Sequence, residues 1–339
     1  MKEAMFYKTK PDAAVQCVLC PRHCFIKEGM SGFCRARKNV GGKLYAMTYG
    51  RPVSPSIDPI EKKPFFHFYP GLKTYSFCTL GCNFNCLFCQ NWQISQASPE
   101  DMSVPYVSPE RIVSQCELNG LKCISYTYTE PTVFFEYAYD TAVIAKRAGL
   151  LNAFVSNGYI EEAPLRKIAP YLDAMNMDFK ANQEQYKKYC GADAYEAVKR
   201  TARLCMELNI HLEITTLIVP GMNDDPDTVR DIAIFIRDEL GKKVPLHLSR
   251  FHPHYKMLEA KPTPIETLVQ AKKVAEDVGL HYVYMGNVPG EGEDTKCPNC
   301  KAIIIKRSGF TVLEYRLLDE HRCPECGKKV YLRGEYQDV

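Results

Sequence analysis

Gly81-Cys82-Asn83-Phe84-Asn85-Cys86-Leu87-Phe88-Cys89-Gln90-Asn91 is the stretch on which the reading of this chain turns. Its cysteines are spaced C-x3-C-x2-C. Three thiolates on one short loop can hold three irons of a [4Fe–4S] cluster, whose irons normally take four cysteines. The fourth iron is then open to a ligand that is not protein. Zinc knuckles use paired C-x2-4-C spacings, which this triplet fits poorly.

The rest of the cysteine usage agrees with metal chemistry. The chain of 339 residues has 16 cysteines, and they cluster: four fall in 17–34, four in 78–89 and four in 297–326. Cys116, Cys123, Cys190 and Cys205 are scattered and read as ordinary buried thiols. In a chain this long, without a secretion signal, such usage points to metal rather than to disulfides. The start, Met1-Lys2-Glu3-Ala4-Met5-Phe6-Tyr7-Lys8, lacks an apolar signal core, so a cytoplasmic location is expected. A net charge of +3 makes no case for nucleic acid or a membrane surface. No apolar run reaches the ~18 residues that span a bilayer. A cluster with an open iron is sensitive to oxygen, so an anaerobic or low-oxygen cell is expected.

The middle of the chain alternates between β-rich and helical stretches. Candidate strands lie at 73–78, 122–129, 152–156, 173–179, 210–219, 244–251 and 281–285, with helical patterns near 108–119, 132–148, 161–170, 182–208, 225–240 and 264–278. This alternation predicts an α/β fold, a parallel sheet with crossover helices. A closed eight-unit barrel usually takes about 250 residues. The span 71–290 is shorter and predicts a partial (β/α)6 barrel. Chemistry in such sheets sits at the C-terminal ends of the strands. Those ends carry, in order, the cysteine loop, Glu130-Pro131, Ser156-Asn157-Gly158, Asp178-Phe179-Lys180, Pro220-Gly221-Met222-Asn223-Asp224, His247 with Arg250, and Gly286-Asn287. Taken alone, a Glu-Pro after a strand serves equally well as an acid at a helix start.

At these residues the chain resembles the radical S-adenosylmethionine (SAM) superfamily, and within it the relatives of pyruvate formate-lyase activating enzyme. It is similar above all to the subgroup found beside Memo and AMMECR proteins, the AmmeMemoRadiSam enzymes. The resemblance rests on Cys20-Pro21-Arg22, on Asp58-Pro59-Ile60-Glu61-Lys62-Lys63-Pro64, on the cysteine loop through Gln93, on Tyr128-Thr129-Glu130-Pro131 and on Phe251-His252-Pro253. It implies that Cys82, Cys86 and Cys89 hold a [4Fe–4S] cluster whose open iron binds SAM. An electron then cleaves SAM to methionine and a 5′-deoxyadenosyl radical. It further implies Phe88 near the adenine, and Thr129 and Glu130 at the SAM ammonium. Tyr128 and Thr129 replace the two glycines usual in that turn. Asn157 and Gly158 would contact the ribose, Asp178 and Lys180 would pair near the methionyl end, and His247 would lie near ribose or substrate. Asp178, Lys180 and His247 are thus the candidate catalytic residues. Cys78 reads as a strand-end thiol, because the pattern is complete without it. The implied partners are SAM, an electron donor such as ferredoxin or flavodoxin, and Memo-like and AMMECR-like proteins.

Two further cysteine groups flank the barrel. Cys297-Pro298-Asn299-Cys300 and Cys323-Pro324-Glu325-Cys326 are two knuckles separated by 22 residues, a tetrahedral thiolate site for zinc or iron. Ile303, Ile304, Ile305, Tyr315, Leu317 and Leu318 would supply a small core. Cys17, Cys20, Cys24 and Cys34, with His23 as a spare ligand, suit zinc or a second [4Fe–4S] cluster. Arg22, Arg35, Arg37 and Lys38 beside them read as a solvated face. The chain thus divides into an N-terminal metal module (1–50), a Pro/aromatic-rich connector (51–70), the barrel (71–290) and a C-terminal zinc-ribbon or rubredoxin-like module (291–339). The prolines of the connector exclude helix and central strand, and its aromatics would pack it on the barrel, where it could help roof the active site.

The leading functional expectation is a radical SAM enzyme acting on a small molecule or a protein residue. A glycyl radical activase is the alternative within that class. A metal-stabilised interaction protein is the alternative outside it.

Overall fold

The computed structural model describes residues 1–288 and 290–337. Eight strands form one sheet in sequential order: β1 (Val53–Pro59), β2 (Lys73–Cys78), β3 (Cys123–Tyr126), β4 (Leu151–Ser156), β5 (Ala174–Asp178), β6 (His211–Ile218), β7 (Leu246–Arg250) and β8 (Val283–Gly286). β2 to β8 are parallel, and β1 pairs antiparallel with β2. The crossovers are α1 (Pro109–Leu118), α2 (Phe135–Arg147), α3 (Glu162–Ile168), α4 (Gln183–Cys190) with α5 (Tyr195–Glu207), α6 (Pro226–Phe235) and α7 (Ile265–Val278). Six βα units are therefore present, in an open partial barrel.

Local sequence explains the departures from expectation. The helix expected over 182–208 is two helices. α4 opens on a reciprocal cap between Asn182 and Gln185 and ends at Gly191, whose φ of 64° is left-handed. Glycine takes that conformation without a Cβ penalty. The connector contributes β1, with Pro55 and Pro59 inside it. An edge strand tolerates proline because one side of its ladder is unpaired.

The aromatic residues of the connector close the floor of the barrel, while its Lys62 and Lys63 reach the wall of the cavity above. Phe65 and Phe68 are buried against Cys123, Ala153 and Ala174, which sit at the starts of β3, β4 and β5. The backbone N–H groups of Phe66 and His67 donate to the Glu213 carboxylate at 3.1 and 2.8 Å. His247 Nε2 lies 2.7 Å and His211 Nε2 3.1 Å from the same carboxylate. Strand alternation then sorts the interior into layers. Glu213, Asn176 and His247 belong to the floor, where Asn176 holds the carbonyl of Pro64. Two residues further along their strands, Thr215, Asp178 and Ser249 line the open layer above.

The flanking modules share packing with the barrel. Two small antiparallel sheets make up residues 2–46. Their Val15, Leu19, Ile26 and Leu44 belong to the same buried cluster as the barrel core. At the other end Thr295–Lys296, Ile303–Ser308 and Thr311–Tyr315 form a three-stranded sheet. Ile304, Ile305 and Leu317 of that module pack on Phe66, Tyr282 and Tyr284, whereas Ile303 and Leu318 are exposed.

Burial works against the charge on Glu213, but the hydrogen bonds from His211 and His247 outweigh it and hold its carboxyl well below the usual range. Its stabilisation is therefore complete above the unfolded pKa near 4.3 and is lost as pH falls through the depressed folded value. Glu213→Ala leaves four donors unpaired and is expected to cost about 3–5 kcal/mol at neutral pH. Glu213→Gln, which keeps one acceptor, should cost less. Chemical denaturation of both variants checks this. Equal stability of Glu213→Ala and wild type would show that the floor does not depend on the carboxylate.

Candidate active site at the C-terminal ends of the strands

The open layer is a cavity of about 510 Å³. Cys82, Cys86 and Cys89 all stand on its wall, with Phe88 beside the last of them. The loop that carries them is pinned at several points. Asn85 N and Leu87 N donate to the carbonyls of Cys190 and Tyr189 at the end of α4, at 3.0 and 2.9 Å. Leu87 O accepts from Lys256 N at 3.0 Å, and Trp92 stacks on Tyr255 at 5.2 Å. The Ser95 hydroxyl lies 3.3 Å from Cys89 Sγ. Asn157 Nδ2 lies 3.9 Å from Cys82 Sγ and donates to Asn83 Oδ1 at 2.8 Å.

The donor chemistry fits a cubane bound by three thiolates. Burial, chiefly, pushes the Cys82 and Cys89 thiols above their ordinary range, so they are thiols until a metal displaces their protons to solvent. Cys78 is fully buried and points to Val53 O at 3.6 Å, away from the cavity. Cys190 is fully buried and is not on the cavity wall. The wall therefore presents three thiols and open space for a fourth ligand.

The other expected residues distribute unevenly. Thr129, Asn157, Asp178 and Lys180 line the cavity. Lys180 Nζ donates to Asp178 Oδ2 at 2.7 Å and lies 5.8 Å from the Phe88 ring centroid. Tyr128 holds the turn at a φ of 63°. Its hydroxyl donates to Asp58 Oδ2, and its carbonyl accepts from Asn91 Nδ2 at 2.8 Å, which keeps a bulky residue where glycine would cost least. Glu130 is fully buried and off the wall. Its carboxylate accepts from Thr132 N at 3.0 Å, Ser156 Oγ at 2.8 Å and Asn157 N at 2.8 Å, so it braces two strand ends. Gly158 is buried beside Met177, and a Cβ there would meet Met177 Sδ at 2.6 Å. His247 lies in the floor layer with Glu213, below the cavity, because it precedes the strand end by three residues and its inward neighbour Ser249 takes the upper position.

Lys62 and Lys63 line the cavity too, although the sequence reading assigned them no role. Asp58 accepts from both, at 2.8 and 2.7 Å. The signal was present in the Asp58-to-Lys63 stretch, but its placement depends on β1 lying beside β2. The basic face expected at the N-terminus is also corrected. Arg37 is 1% exposed and pairs with buried Glu136, while Arg22 Nε donates to Asn83 O at 2.6 Å inside the cysteine loop. In the C-terminal module Cys297 and Cys326 sulfurs lie 3.6 Å apart, as do those of Cys300 and Cys323. All four converge within 4.8 Å, which suits one tetrahedral ion.

Comparison with known proteins agrees with this geometry. The Radical SAM superfamily model matches residues 76–232. The chain is 51% identical over 332 residues to the uncharacterized protein MJ0808 of Methanocaldococcus jannaschii, covering 97% of this chain and 99% of that one. It is 22% identical to the pyruvate formate-lyase 1-activating enzyme of Escherichia coli, across 62% of this chain and 91% of that one. Among solved structures, a radical SAM methyltransferase from Sphaerobacter thermophilus shares the fold with a TM-score of 0.51 at 14% identity, over 65% of this chain and 68% of that one.

The three wall cysteines should behave differently from their two buried neighbours. Changing Cys82, Cys86 or Cys89 to Ala is expected to abolish the iron bound at this loop. Cys78→Ala and Cys190→Ala should retain it, with at most the ~1–2 kcal/mol loss of a small buried side chain. Iron and sulfide analysis of each variant after anaerobic reconstitution decides the ligand set.

Proposed function

The chain belongs to the radical SAM superfamily, and on that premise we propose that it cleaves SAM and abstracts hydrogen from a small molecule or a protein side chain. The observation that carries this reading is the set of Cys82, Cys86 and Cys89 on one cavity wall, with Cys78 turned away. Cys82, Cys86 and Cys89 would hold the cluster, which would supply one electron for cleavage of SAM to methionine and a 5′-deoxyadenosyl radical. The protein's own part is position and exclusion of water. Asn157 braces Cys82 and Asn83, and Glu130 fixes the backbone of Asn157. Phe88 offers an apolar edge for the adenine, and the Asp178–Lys180 pair offers both charges for the zwitterionic end of SAM. Lys62 and Lys63, held by Asp58, put positive charge on the remaining wall, which favours a substrate with an anionic group. A one-electron donor such as ferredoxin or flavodoxin supplies the reductant. Memo-like and AMMECR-like proteins are the proposed partners, and the cytoplasm the proposed location. Among the described residues no helix is long and apolar enough to cross a membrane.

The reduced protein should convert SAM to 5′-deoxyadenosine and methionine. Glu130→Gln is expected to slow this without loss of iron, since a displacement of ~1 Å at the reacting centre costs ~100-fold. A second reading, a glycyl radical activase, is favoured by the similarity to the E. coli activating enzyme. Electron paramagnetic resonance of an anaerobic cell extract separates the two. A lasting glycyl doublet that depends on this protein would establish the activase. Deuterium passing from a labelled metabolite into 5′-deoxyadenosine, with no lasting protein radical, supports the first reading.

For Cys297, Cys300, Cys323 and Cys326 we propose structural zinc. Cys297→Ala should release one zinc and open residues 291–339 to protease, while the cysteine loop keeps its iron. Undiminished zinc in that variant would refute a site of four cysteines.

A further inference from the structure

We infer that Cys17, Cys20, Cys24 and Cys34 hold a second [4Fe–4S] cluster, closed by four thiolates, directly behind the loop that carries Cys82. The inference rests on the N-terminal module itself and not on the proposed reaction.

All four cysteines line one hollow of about 20 Å³, walled by Leu19, Ile26 and Val133. Their spacing distinguishes them from the C-terminal four. A single tetrahedral ion with metal–sulfur bonds of about 2.3 Å places its sulfurs about 3.8 Å apart. The C-terminal contacts of 3.6 Å meet that requirement. Among the described residues, Cys297, Cys300, Cys323 and Cys326 form the only group of three or more His, Cys, Asp or Glu residues whose ligand atoms lie mutually within 4.8 Å. The four N-terminal cysteines therefore share one hollow with no three of their sulfurs mutually within 4.8 Å. A cube with an iron at each of four corners needs that wider arrangement.

A second observation comes from Arg37. Its guanidinium is on the wall of the hollow and buried, and Nη2 is taken up by Glu136. Nε and Nη1 have no partner. Unpaired buried donors are costly, and an anionic cluster with sulfide and thiolate acceptors would satisfy them. The spare ligand His23 is turned away, with Nε2 3.0 Å from Glu161 and a side chain 47% exposed. Four thiolates, and no imidazole, then complete the set.

The two cysteine sites are neighbours. Asn83, next to Cys82, lines the hollow, and Arg22 between Cys20 and Cys24 donates to Asn83 O. Gly81 passes so close to Cys34 that a Cβ would lie 2.4 Å from its carbonyl oxygen.

The test uses the full chain, reconstituted anaerobically with iron and sulfide, and its triple variant Cys82→Ala/Cys86→Ala/Cys89→Ala. Two clusters give about eight irons in wild type and about four in the triple variant, with a reducible [4Fe–4S] signal retained by Mössbauer and paramagnetic resonance spectroscopy. Wild type with about four irons and an iron-free triple variant would overturn the inference, whether or not an extra zinc appears. About four irons in both proteins, without SAM cleavage by wild type, would uphold the second cluster and sink the proposed reaction instead. Should the triple variant not fold, the variant Cys20→Ala/Cys24→Ala decides: loss of about four irons relative to wild type upholds the second cluster, and an unchanged iron count overturns it.

Discussion

A buried carboxylate closes one end of this barrel and so decides where the other end can do chemistry. Glu213 sits at the start of β6 and gathers two backbone N–H groups of the connector and two histidines. An open sheet of parallel strands has two mouths, and aromatic side chains fill the one at the strand starts. With that floor sealed, polar residues two positions further along β5, β6 and β7 face the remaining space. The cavity, the cysteine loop and the Asp178–Lys180 pair all depend on this layering. A charged group so deep costs heavily unless it is fully bonded, and here each oxygen has partners.

The thiols on the cavity wall illustrate a different balance. Burial disfavours thiolate, and a metal centre reverses that preference by replacing the proton. Cys78, pushed up to about 12 by burial and turned to a carbonyl, remains an apolar strand-end residue. The same residue type within a few positions of the chain therefore plays two parts, according to whether its sulfur faces the cavity. The terminal modules are not loose appendages. Arg22 reaches into the cysteine loop, and the C-terminal module packs on Phe66, Tyr282 and Tyr284, beside the floor. Each lies on one side of the same barrel.

Much of this was legible along the chain. The C-x3-C-x2-C spacing, the strand–helix alternation and the two Cys-Pro-x-Cys knuckles are local patterns. Periodicity and cysteine spacing survive whatever the tertiary arrangement, so they point to an α/β barrel, a loop of three clustered thiols and a group of four thiols at the C-terminal end. Asn157, Asp178 and Lys180 were found by the rule that strand ends carry function and Thr129 by the family resemblance, and the cavity does gather them.

What sequence could not decide is depth and direction. His247 and Ser249 lie on the same face of one strand, yet one is sealed in the floor and the other lines the cavity. That difference is set by where the connector plugs the barrel, a contact more than 140 residues away in sequence. Glu130 follows a strand end, as a ligand-binding acid would, but its carboxylate is spent on Thr132, Ser156 and Asn157. Lys62 and Lys63 reach the cavity only because a proline-containing strand joins the sheet edge. Arg37, on a strand whose alternate residues are buried, carries its charge inward because Glu136 of α2 is there to meet it. Identity and spacing of ligands are written in the chain. Which side chains share one space is fixed by long-range packing, because only the folded layers determine what faces inward and how deep.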